Sequence, residues 1–499
     1  MNLSLVLDMA LSGYPDRPAV SGGGTRLTYA ELDRLSRGAA ASVAADGLDA
    51  VLHLAANSPA LPVALFAAAR AGVPFVPLNY RQPASQLAAI VGGYRRALLV
   101  YDRDRPGGGT GPAVPAAGLA AWARKRGGDP RLAPEPPDDE ETVAVLLYTS
   151  GTTAAPKAAV LRHRHLLAYL LGTVEFGGAG EDEAALVCVP PYHVAGVANL
   201  VSNLYAGRRV VYLDVFDPAT WLDTARAEGV TQAMLVPTML ARLAEYLTQH
   251  GGERPADVPT LRSIAYGGAR MPLPVLRRAL ALFPDAGFVN AYGLTETSST
   301  IALLGPDDHR VALTSADPAV QARLGSVGRL LPAIEMQVRA DDGTPLPPGE
   351  TGLLFLRGDQ VSGEYVGSSA VDADGWFATR DRGRLDGDGY LFIEGRADDT
   401  IIRGGENIAP AEIEDALCAH PAVAEAVVLG LPDEEWGQRI AAVIVPAAGA
   451  APEAEELRAW ARGRLRSAKT PDVVVFRAEL PRTDTGKVLR RKLADELNG

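Results

Sequence analysis

Between Tyr148 and Lys157 the chain reads Tyr148-Thr149-Ser150-Gly151-Thr152-Thr153-Ala154-Ala155-Pro156-Lys157. Four hydroxyl side chains crowd around one glycine, and a lysine closes the run. The apolar stretch Val143-Ala144-Val145-Leu146-Leu147 feeds into it and predicts a buried strand. A strand that delivers small hydroxylated residues suits an anion, because backbone N–H groups, side-chain O–H groups and one ammonium can all donate to phosphate oxygens. The same residues would also make a plain surface turn. Residue order excludes one rival: the usual nucleotide-binding P-loop needs glycine just before its lysine and Ser or Thr just after, and Pro156 and Ala158 hold those places here.

Other segments carry suitable chemistry beside a phosphate loop. Tyr292-Gly293-Leu294-Thr295-Glu296-Thr297 is an ordinary turn taken alone. Next to bound phosphate it offers a ring to stack on a base, a hydroxyl for an α-phosphate and a carboxylate for Mg²⁺, which prefers few carboxylates plus phosphate oxygens. Asp381 follows Trp376-Phe377 and reads either as a surface aspartate in a polar turn or as an acceptor for the two hydroxyls of a ribose. Lys487 stands in the basic run Thr485-Gly486-Lys487-Val488-Leu489-Arg490-Arg491-Lys492. Arg490, Arg491 and Lys492 are expected on a solvated helix face, whereas Gly486 would let a loop bring Lys487 close to another domain. His193, after Pro190-Pro191-Tyr192, is a lone histidine of the kind that is more often structural.

The elements that must position these residues can be read in outline. Thr28 and Glu31 have the spacing of a helix capping box. Ala50 to Leu54 predicts a strand, Leu61 to Ala71 a helix ending at Gly72, and Val73 to Leu78 another extended piece. Such alternation indicates layered α/β structure with parallel strands. Residues 102–142 read as a long excursion around one helix, Ala116 to Arg126, with Pro106-Gly107-Gly108-Gly109 as a turn. Beyond residue 325 the texture becomes β-rich, with strands expected at Glu335 to Arg339, Gly352 to Arg357 and Gly389 to Glu394. A small α+β unit follows: a helix at Pro410 to Ala419, strands at Val423 to Gly430 and Ile440 to Pro446, a helix at Pro452 to Arg464, and a basic C-terminal helix. The expected fold class is thus α/β, with a large N-terminal domain of several subdomains over residues 1–397 and a small mobile α+β domain over 398–499.

At 499 residues the chain exceeds one ordinary core. A net charge of −12 argues against general binding to nucleic acid or anionic membrane, but leaves room for a small anion in a local basic pocket. The two cysteines, Cys188 and Cys418, have no metal-ligand spacing and are expected to be buried reduced thiols. Met1 to Ala10 lacks Lys and Arg and contains Asp8, unlike a secretory signal, and no apolar run of spanning length occurs. A soluble cytoplasmic enzyme, monomer or homodimer, is the expectation.

Taken in order, these segments resemble the adenylate-forming superfamily of acyl-CoA synthetases, luciferases and carrier-protein-loading adenylation domains. The resemblance spans nearly the whole chain. It rests on Tyr148 to Lys157, Pro190-Pro191-Tyr192-His193, Tyr266-Gly267-Gly268-Ala269, Asn290 to Thr297, Thr379-Arg380-Asp381, Gly395-Arg396-Ala397-Asp398-Asp399, Arg403-Gly404-Gly405-Glu406-Asn407-Ile408 and Pro481 to Lys487. It implies ATP, Mg²⁺ and CoA as co-substrates and cofactor. ATP contacts would come from Thr149, Ser150, Gly151, Thr152, Thr153, Lys157, Gly267, Gly268, Ala269, Asn290, Ala291, Tyr292, Gly293, Asp381 and Arg396. Within that set Tyr292 would stack on adenine, Gly267 and Gly268 would leave room for its other face, and Asp381 would take the ribose. Thr295 would meet the α-phosphate, Glu296 would hold Mg²⁺, and Lys487 would bridge substrate carboxylate and α-phosphate. His193 would stand at the wall between acyl pocket and thiol tunnel. The acyl group would lie among Tyr192, His193, Val194, Gly196, Asn199, Gly268 and Leu294.

The resemblance further implies a C-terminal domain that turns about Asp398 between two half-reactions, replacing Lys487 by a CoA tunnel of Gly404, Gly405, Glu406 and Trp436. The Gly-Gly-Glu-Asn form is most similar to aryl- and acyl-CoA ligases. His193-Val194-Ala195-Gly196 stands where amino-acid-activating relatives tend to carry an aspartate, so an acid without an α-amino group is expected, and Ala195, Gly196 and Ala198 would leave room for a bulky apolar one. Three departures stand out. Ala154 and Ala158 replace frequent glycines and should stiffen the phosphate loop. Arg380 replaces a usual glycine. Around Lys469-Thr470-Pro471-Asp472 relatives often carry extra basic or aromatic residues that meet the CoA nucleotide, whereas here Asp472 has the wrong sign for a phosphate and Ala468 cannot stack on a base. An acyl-CoA synthetase acting through acyl-AMP is the expected function. An enzyme that loads a carrier protein or stops at the adenylate is the alternative, and a non-catalytic acyl or nucleotide sensor the third.

Overall fold

Every residue of the strands Ala50–Leu54, Phe75–Pro77 and Ala184–Val187 is buried. Strands with no polar face must be covered on both sides, as parallel strands joined by helical crossovers are. The computed structural model describes residues 1–102, 111–126, 133–149, 157–252, 254–403, 406–483 and 486–498, and these strands fall in two large sheets of that kind. The turn expected at Pro106 to Gly109 lies outside the described residues. One sheet has eight strands, with a parallel core of Ala97–Tyr101, Ala50–Leu54, Phe75–Pro77 and Val143–Thr149. The other has nine, with Arg209–Tyr212, Ala184–Val187, Gln232–Leu235, Ser263–Gly267 and Gly287–Leu294 running parallel.

Helices fill the layer between the sheets. Tyr29–Ala45, Ala60–Ala71, His163–Thr173 and Val194–Tyr205 share one apolar cluster with strands of both sheets. The helix Ala60–Ala71 is buried almost all round, the mark of a helix sandwiched inside a large core. Its one cation, Arg70, is 1% exposed and is matched by Asp33 at 2.5 Å and Asp8 at 2.8 Å. The predicted termini hold: the Thr28 hydroxyl accepts from Glu31 N–H at 3.2 Å, Glu31 accepts from Thr28 N–H at 3.0 Å, and Gly72 caps its helix at φ +70°.

A four-stranded antiparallel sheet follows, formed by Glu335–Arg339, Gly352–Arg357, Phe377–Leu385 and Leu391–Arg396. The last strand starts two residues later than the sequence suggests. Asp386 takes the N–H groups of Asp388 and Tyr390, both at 2.9 Å, and so draws residues up to Tyr390 into a turn. Then comes the small domain. Val423–Asp433 and Gly437–Pro446 pair antiparallel, Val473–Phe476 adds parallel, and Pro410–Cys418 and Ala454–Arg462 pack through Ile413, Leu417 and Leu457 on a core separate from that of the large domain. The C-terminal helix is Arg490–Asn498. Arg490 is not on a solvated face: its guanidinium reaches Glu414 at 2.6 Å and the Val428 carbonyl at 2.7 Å, clamping the helix to the sheet. Both cysteines are free, and burial pushes each thiol up to about 12. Among the described residues no helix is long and apolar enough to cross a membrane.

Candidate functional site

Asp381 sits within the strand Phe377–Leu385, not in a surface turn. Side chains alternate across a strand, and here Phe377, Thr379 and Asp381 point inward while Ala378 and Arg380 point out. That parity leaves Asp381 4% exposed. Tyr292, from the nine-stranded sheet, donates its hydroxyl to Asp381 Oδ2 at 2.5 Å, and Arg396 Nε lies 2.7 Å from Oδ1. Each carboxylate oxygen can accept a second hydrogen bond, so the pair could still receive two vicinal hydroxyls. Burial raises the Asp381 pKa, against Arg396, the Tyr292 hydrogen bond and Lys487, while Glu296 adds to the rise. Tyr292 packs against the apolar cluster that includes Ile301 and Leu356.

Arg380 occupies the left-handed region at φ +63°. The glycine-type backbone is thus retained although the residue carries a side chain, at a cost of roughly 1 kcal/mol. The Arg380 guanidinium lies 3.8 Å from Asp398, the expected hinge residue, which is in the turn Ala397–Asp399.

Glu296 belongs to the same neighbourhood, since its charge acts on Asp381. Its carboxylate receives the Tyr365 hydroxyl, and its backbone carbonyl accepts from Ser362 N–H at 2.8 Å and Gly363 N–H at 3.1 Å. Thr295 begins the same short turn, Thr295–Thr297, which ends at Ser298 with φ +57°. One carboxylate held in a fixed orientation fits Mg²⁺ that draws its other ligands from phosphate and water. Among the described residues no group of three or more His, Cys, Asp or Glu could make an all-protein metal cage. Sequence reasoning missed Tyr365, 69 residues from Glu296 and in a two-residue strand with no periodicity to show it.

Lys487 arrives from the small domain. Gly486 precedes it at φ +79°, and a Cβ there would stand 2.3 Å from Thr238 Oγ1 on the large domain. The glycine therefore serves the close approach expected of it, and Thr238 is its seat, which sequence reasoning did not identify. Lys487 is still exposed, yet the protein around it lowers its pKa by desolvation, with Arg396 next, while Asp399 and Asp381 oppose. These influences place the ammonium in the field of Asp381 and Arg396. Asp415 and Arg270 form a second ion pair between the domains.

On the side expected for the acyl group, His193 begins the helix Val194–Tyr205 and its ring lies 4.7 Å from that of Tyr192. Tyr192 in turn meets Tyr80 edge-on at 5.2 Å. The glycines divide. A Cβ on Gly196 would meet the Pro190 carbonyl at 2.8 Å, so this glycine admits backbone and does not widen a pocket. A Cβ on Gly267 would stand 2.2 Å from the Ala291 carbonyl oxygen, and one on Gly293 would run into the Ser299 backbone. Gly268, at φ +82°, is exposed, and a Cβ on it would meet Val236 Cγ1 at an ordinary contact distance of 3.9 Å. Ala269 beside it is half-buried. Val194 packs on the main core and Leu294 on the Ile301 cluster. Asn290 is tied to the Ser326 carbonyl at 3.0 Å, so its amide is spent on holding its strand.

Gly404 and Gly405, the Glu406 side chain, residues 150–156 with Ser150, Gly151, Thr152 and Thr153, and the Thr149 side chain lie outside the described residues. Thr149 and Lys157 pair across two antiparallel strands, which brings the two ends of the phosphate segment together. Ala158 is in the second of these strands and 5% exposed, so its small side chain serves packing and not loop stiffness. Trp436 is 47% exposed, with the Arg403 guanidinium 5.5 Å from its ring centre. Asp472 holds Arg403 through two bonds of 2.7 and 2.9 Å and also accepts Ile440 N–H at 2.8 Å.

Comparison with known proteins agrees with this arrangement. The AMP-binding enzyme family matches residues 7–366, and the AMP-binding enzyme C-terminal domain matches 412–487. A feruloyl-CoA synthase of Amycolatopsis sp. is 36% identical over 95% of both chains. A fatty acid–[acyl-carrier-protein] ligase of Streptomyces coeruleorubidus is 36% identical over 97% of this chain and 94% of its own. Among solved structures, ATP-bound MatB from Rhodopseudomonas palustris superposes with a TM-score of 0.88 at 28% identity, covering 100% of this chain and 99% of that one. The o-succinylbenzoate CoA synthetase of Bacillus subtilis with its acyl-adenylate intermediate gives 0.83 at 29% identity, over 98% and 97%. With models of both its large and its small domain matched, over residues 7–366 and 412–487, the chain belongs to the AMP-binding enzyme family.

Proposed function

We propose that this protein is an AMP-forming acyl-CoA synthetase that activates a bulky, largely apolar carboxylic acid and passes the acyl group to CoA. The observation that carries this reading is the close approach of Gly486 to Thr238 on the large domain, which brings Lys487 to the junction where Asp381 and Arg396 act on it. In the first half-reaction a substrate carboxylate oxygen attacks the α-phosphorus of ATP and the bond to the bridging oxygen breaks, releasing pyrophosphate. Two anions must approach, and negative charge grows on the leaving group. The Lys487 ammonium offsets both, while Asp381 accepts the ribose hydroxyls and the Tyr292 plane orients the base. Glu296, steadied by Tyr365, would hold Mg²⁺, which neutralises phosphate charge when bound.

For the second half-reaction we propose that the small domain turns about a boundary at Asp398, withdrawing Lys487 and bringing up the Gly404 to Glu406 segment. A CoA sulfur attacks the acyl carbonyl, the bond to AMP breaks and the thioester forms. The test is pyrophosphate release over aromatic, fatty, polycyclic and amino acids, followed by product analysis with and without CoA. Activation only of amino acids would overturn the acid assignment. Acyl-AMP that never becomes acyl-CoA would favour the second reading, loading of a carrier protein. Asp472 favours that second reading to a degree, because it ties up Arg403 and puts a negative charge where CoA phosphates would dock.

A further inference from the structure

Among the described residues three non-glycine residues have positive φ: Ser298 at +57° and Ser299 at +131°, which follow the Glu296 turn, and Arg380 at +63°, which precedes Asp381. Strain of this kind persists where the surroundings over-determine it, and it gathers at working positions. The backbone of Arg380 is held through both neighbours. The buried Thr379 hydroxyl donates to the Leu354 carbonyl at 2.9 Å and accepts from Asp381 N–H at 3.0 Å. The Arg380 side chain is 68% exposed, and among the described residues its guanidinium has a single ion-pair partner, Asp398, at 3.8 Å.

Asp398 stands in the link between the domains. Arg396 is the last residue of the four-stranded sheet, and Ile401, 1% exposed, belongs to the core of the small domain. Residues 397–400 join the two. The link carries two successive carboxylates, and they pair in opposite directions. Asp398 faces Arg380 on the large domain, whereas Asp399 Oδ2 lies 3.7 Å from Arg490 Nε on the small one. Arg490 is itself tied to Glu414 and to the Val428 carbonyl, so Asp399 is fastened to the small domain. A turn of the small domain changes the backbone at 397–400 and carries Asp398 away from Arg380, while Asp399 can keep its partner.

Resting on the reading above, in which the small domain turns between two half-reactions, we propose that Arg380 is a positioning residue that acts through Asp398. It holds Asp398 while the adenylate is made, keeps Lys487 seated at the junction, and releases Asp398 before the thioester is formed. The strained backbone serves this hold, because it presents a guanidinium to the link where glycine would present nothing. An exposed pair of this length shifts the balance between two poses by about three- to fivefold and not by orders of magnitude, so the domain can still turn.

The experiment compares two rates in each protein: pyrophosphate release with an accepted acid, and acyl-CoA formation from supplied acyl-AMP. Arg380→Asn removes the charge with a residue type that accepts positive φ, so the fold is kept. The ratio of the second rate to the first should rise by about three- to fivefold, with the KM for the acid unchanged. Arg380→Lys, which keeps the charge, should stay close to the wild type. Asp398→Asn should raise the ratio as much, and the double variant no further. An unchanged ratio in Arg380→Asn, or effects of the two substitutions that simply multiply, would overturn the role of Arg380. Seating can also be read without chemistry. Arg270 and Asp415 meet across the junction, and in a protein carrying Arg270→Cys and Asp415→Cys a short bis-maleimide should join the two positions more slowly once Arg380→Asn is added. If the wild type activates no acid, the acyl-activating reading falls, and the cross-linking rate alone judges the hold on Asp398: slower joining upholds it and an unchanged rate overturns it.

Discussion

Two titrating groups face each other across the domain junction, and their shifts have opposite signs. Lys487 must be an ammonium to offset charge in adenylation, yet burial and Arg396 lower its pKa from 10.5. The alkaline limb of kcat/KM, which reports the free enzyme, should therefore fall at a pH below 10.5, and bound triphosphate should move the limb of kcat higher. Pyrophosphate release against pH, at low and at saturating ATP, measures both. The linkage to stability follows. Lys487 binds fewer protons folded than unfolded, so its contribution rises with pH between its lowered value and 10.5. Asp381 binds more protons folded, so its contribution falls as pH climbs from 3.8 through its raised value. Lys487→Ala should lower adenylation by about a hundredfold or more, as expected when a preorganised charge is removed, and should spare thioester formation from supplied acyl-AMP. Undiminished pyrophosphate exchange in that variant would show the lysine misplaced. Tyr365→Phe frees the carboxylate it steadies, and a higher Mg²⁺ concentration for half-maximal activity is the expected result.

Local chemistry made several elements legible. The Thr28 capping box could be read because two residue types three apart specify it, and Thr28→Ala should cost about 1 kcal/mol in thermal or chemical unfolding. The strands Ala50–Leu54, Glu335–Arg339 and Gly352–Arg357 begin and end where their apolar patterns do. The site residues Asp381, Glu296 and Lys487 stood out through motif order, but their surroundings did not. A glycine in a sequence does not say what fills the absent side chain. At Gly268 it is an ordinary contact with Val236 at an exposed position, whereas at Gly196 and Gly267 it is backbone from another segment. Tyr365 and Thr238 were invisible for a related reason: each acts on a residue distant in sequence and has no pattern of its own. The turn at Arg380 was marked only as a departure from glycine, and the backbone answer is that φ stays positive. Arg380→Gly should therefore fold at least as well as the wild type, by relief of roughly 1 kcal/mol of strain. A lower melting temperature would contradict that.

At the scale of the whole molecule, the proposed adenylation step depends on how the small domain seats. Gly486→Ala should lower adenylation by tenfold or more, because the added methyl meets Thr238 and the positive φ disfavours it. Thioester formation from supplied acyl-AMP, measured beside it, should change less. Among the described residues charge helps to hold the seat: Arg270 with Asp415, Arg380 with Asp398, and Lys487 in the field of Asp381 and Asp399. The first two pairs are open to water, with side-chain exposures of 44% and 54%, and of 68% and 60%. Mobile ions screen such pairs over about 8 Å at physiological ionic strength and over less as salt rises. Dissolved salt thus reaches the junction while leaving both buried cores untouched, so under the proposed turn of the small domain the balance between making the adenylate and consuming it would be a property of the solvent as well as of the fold.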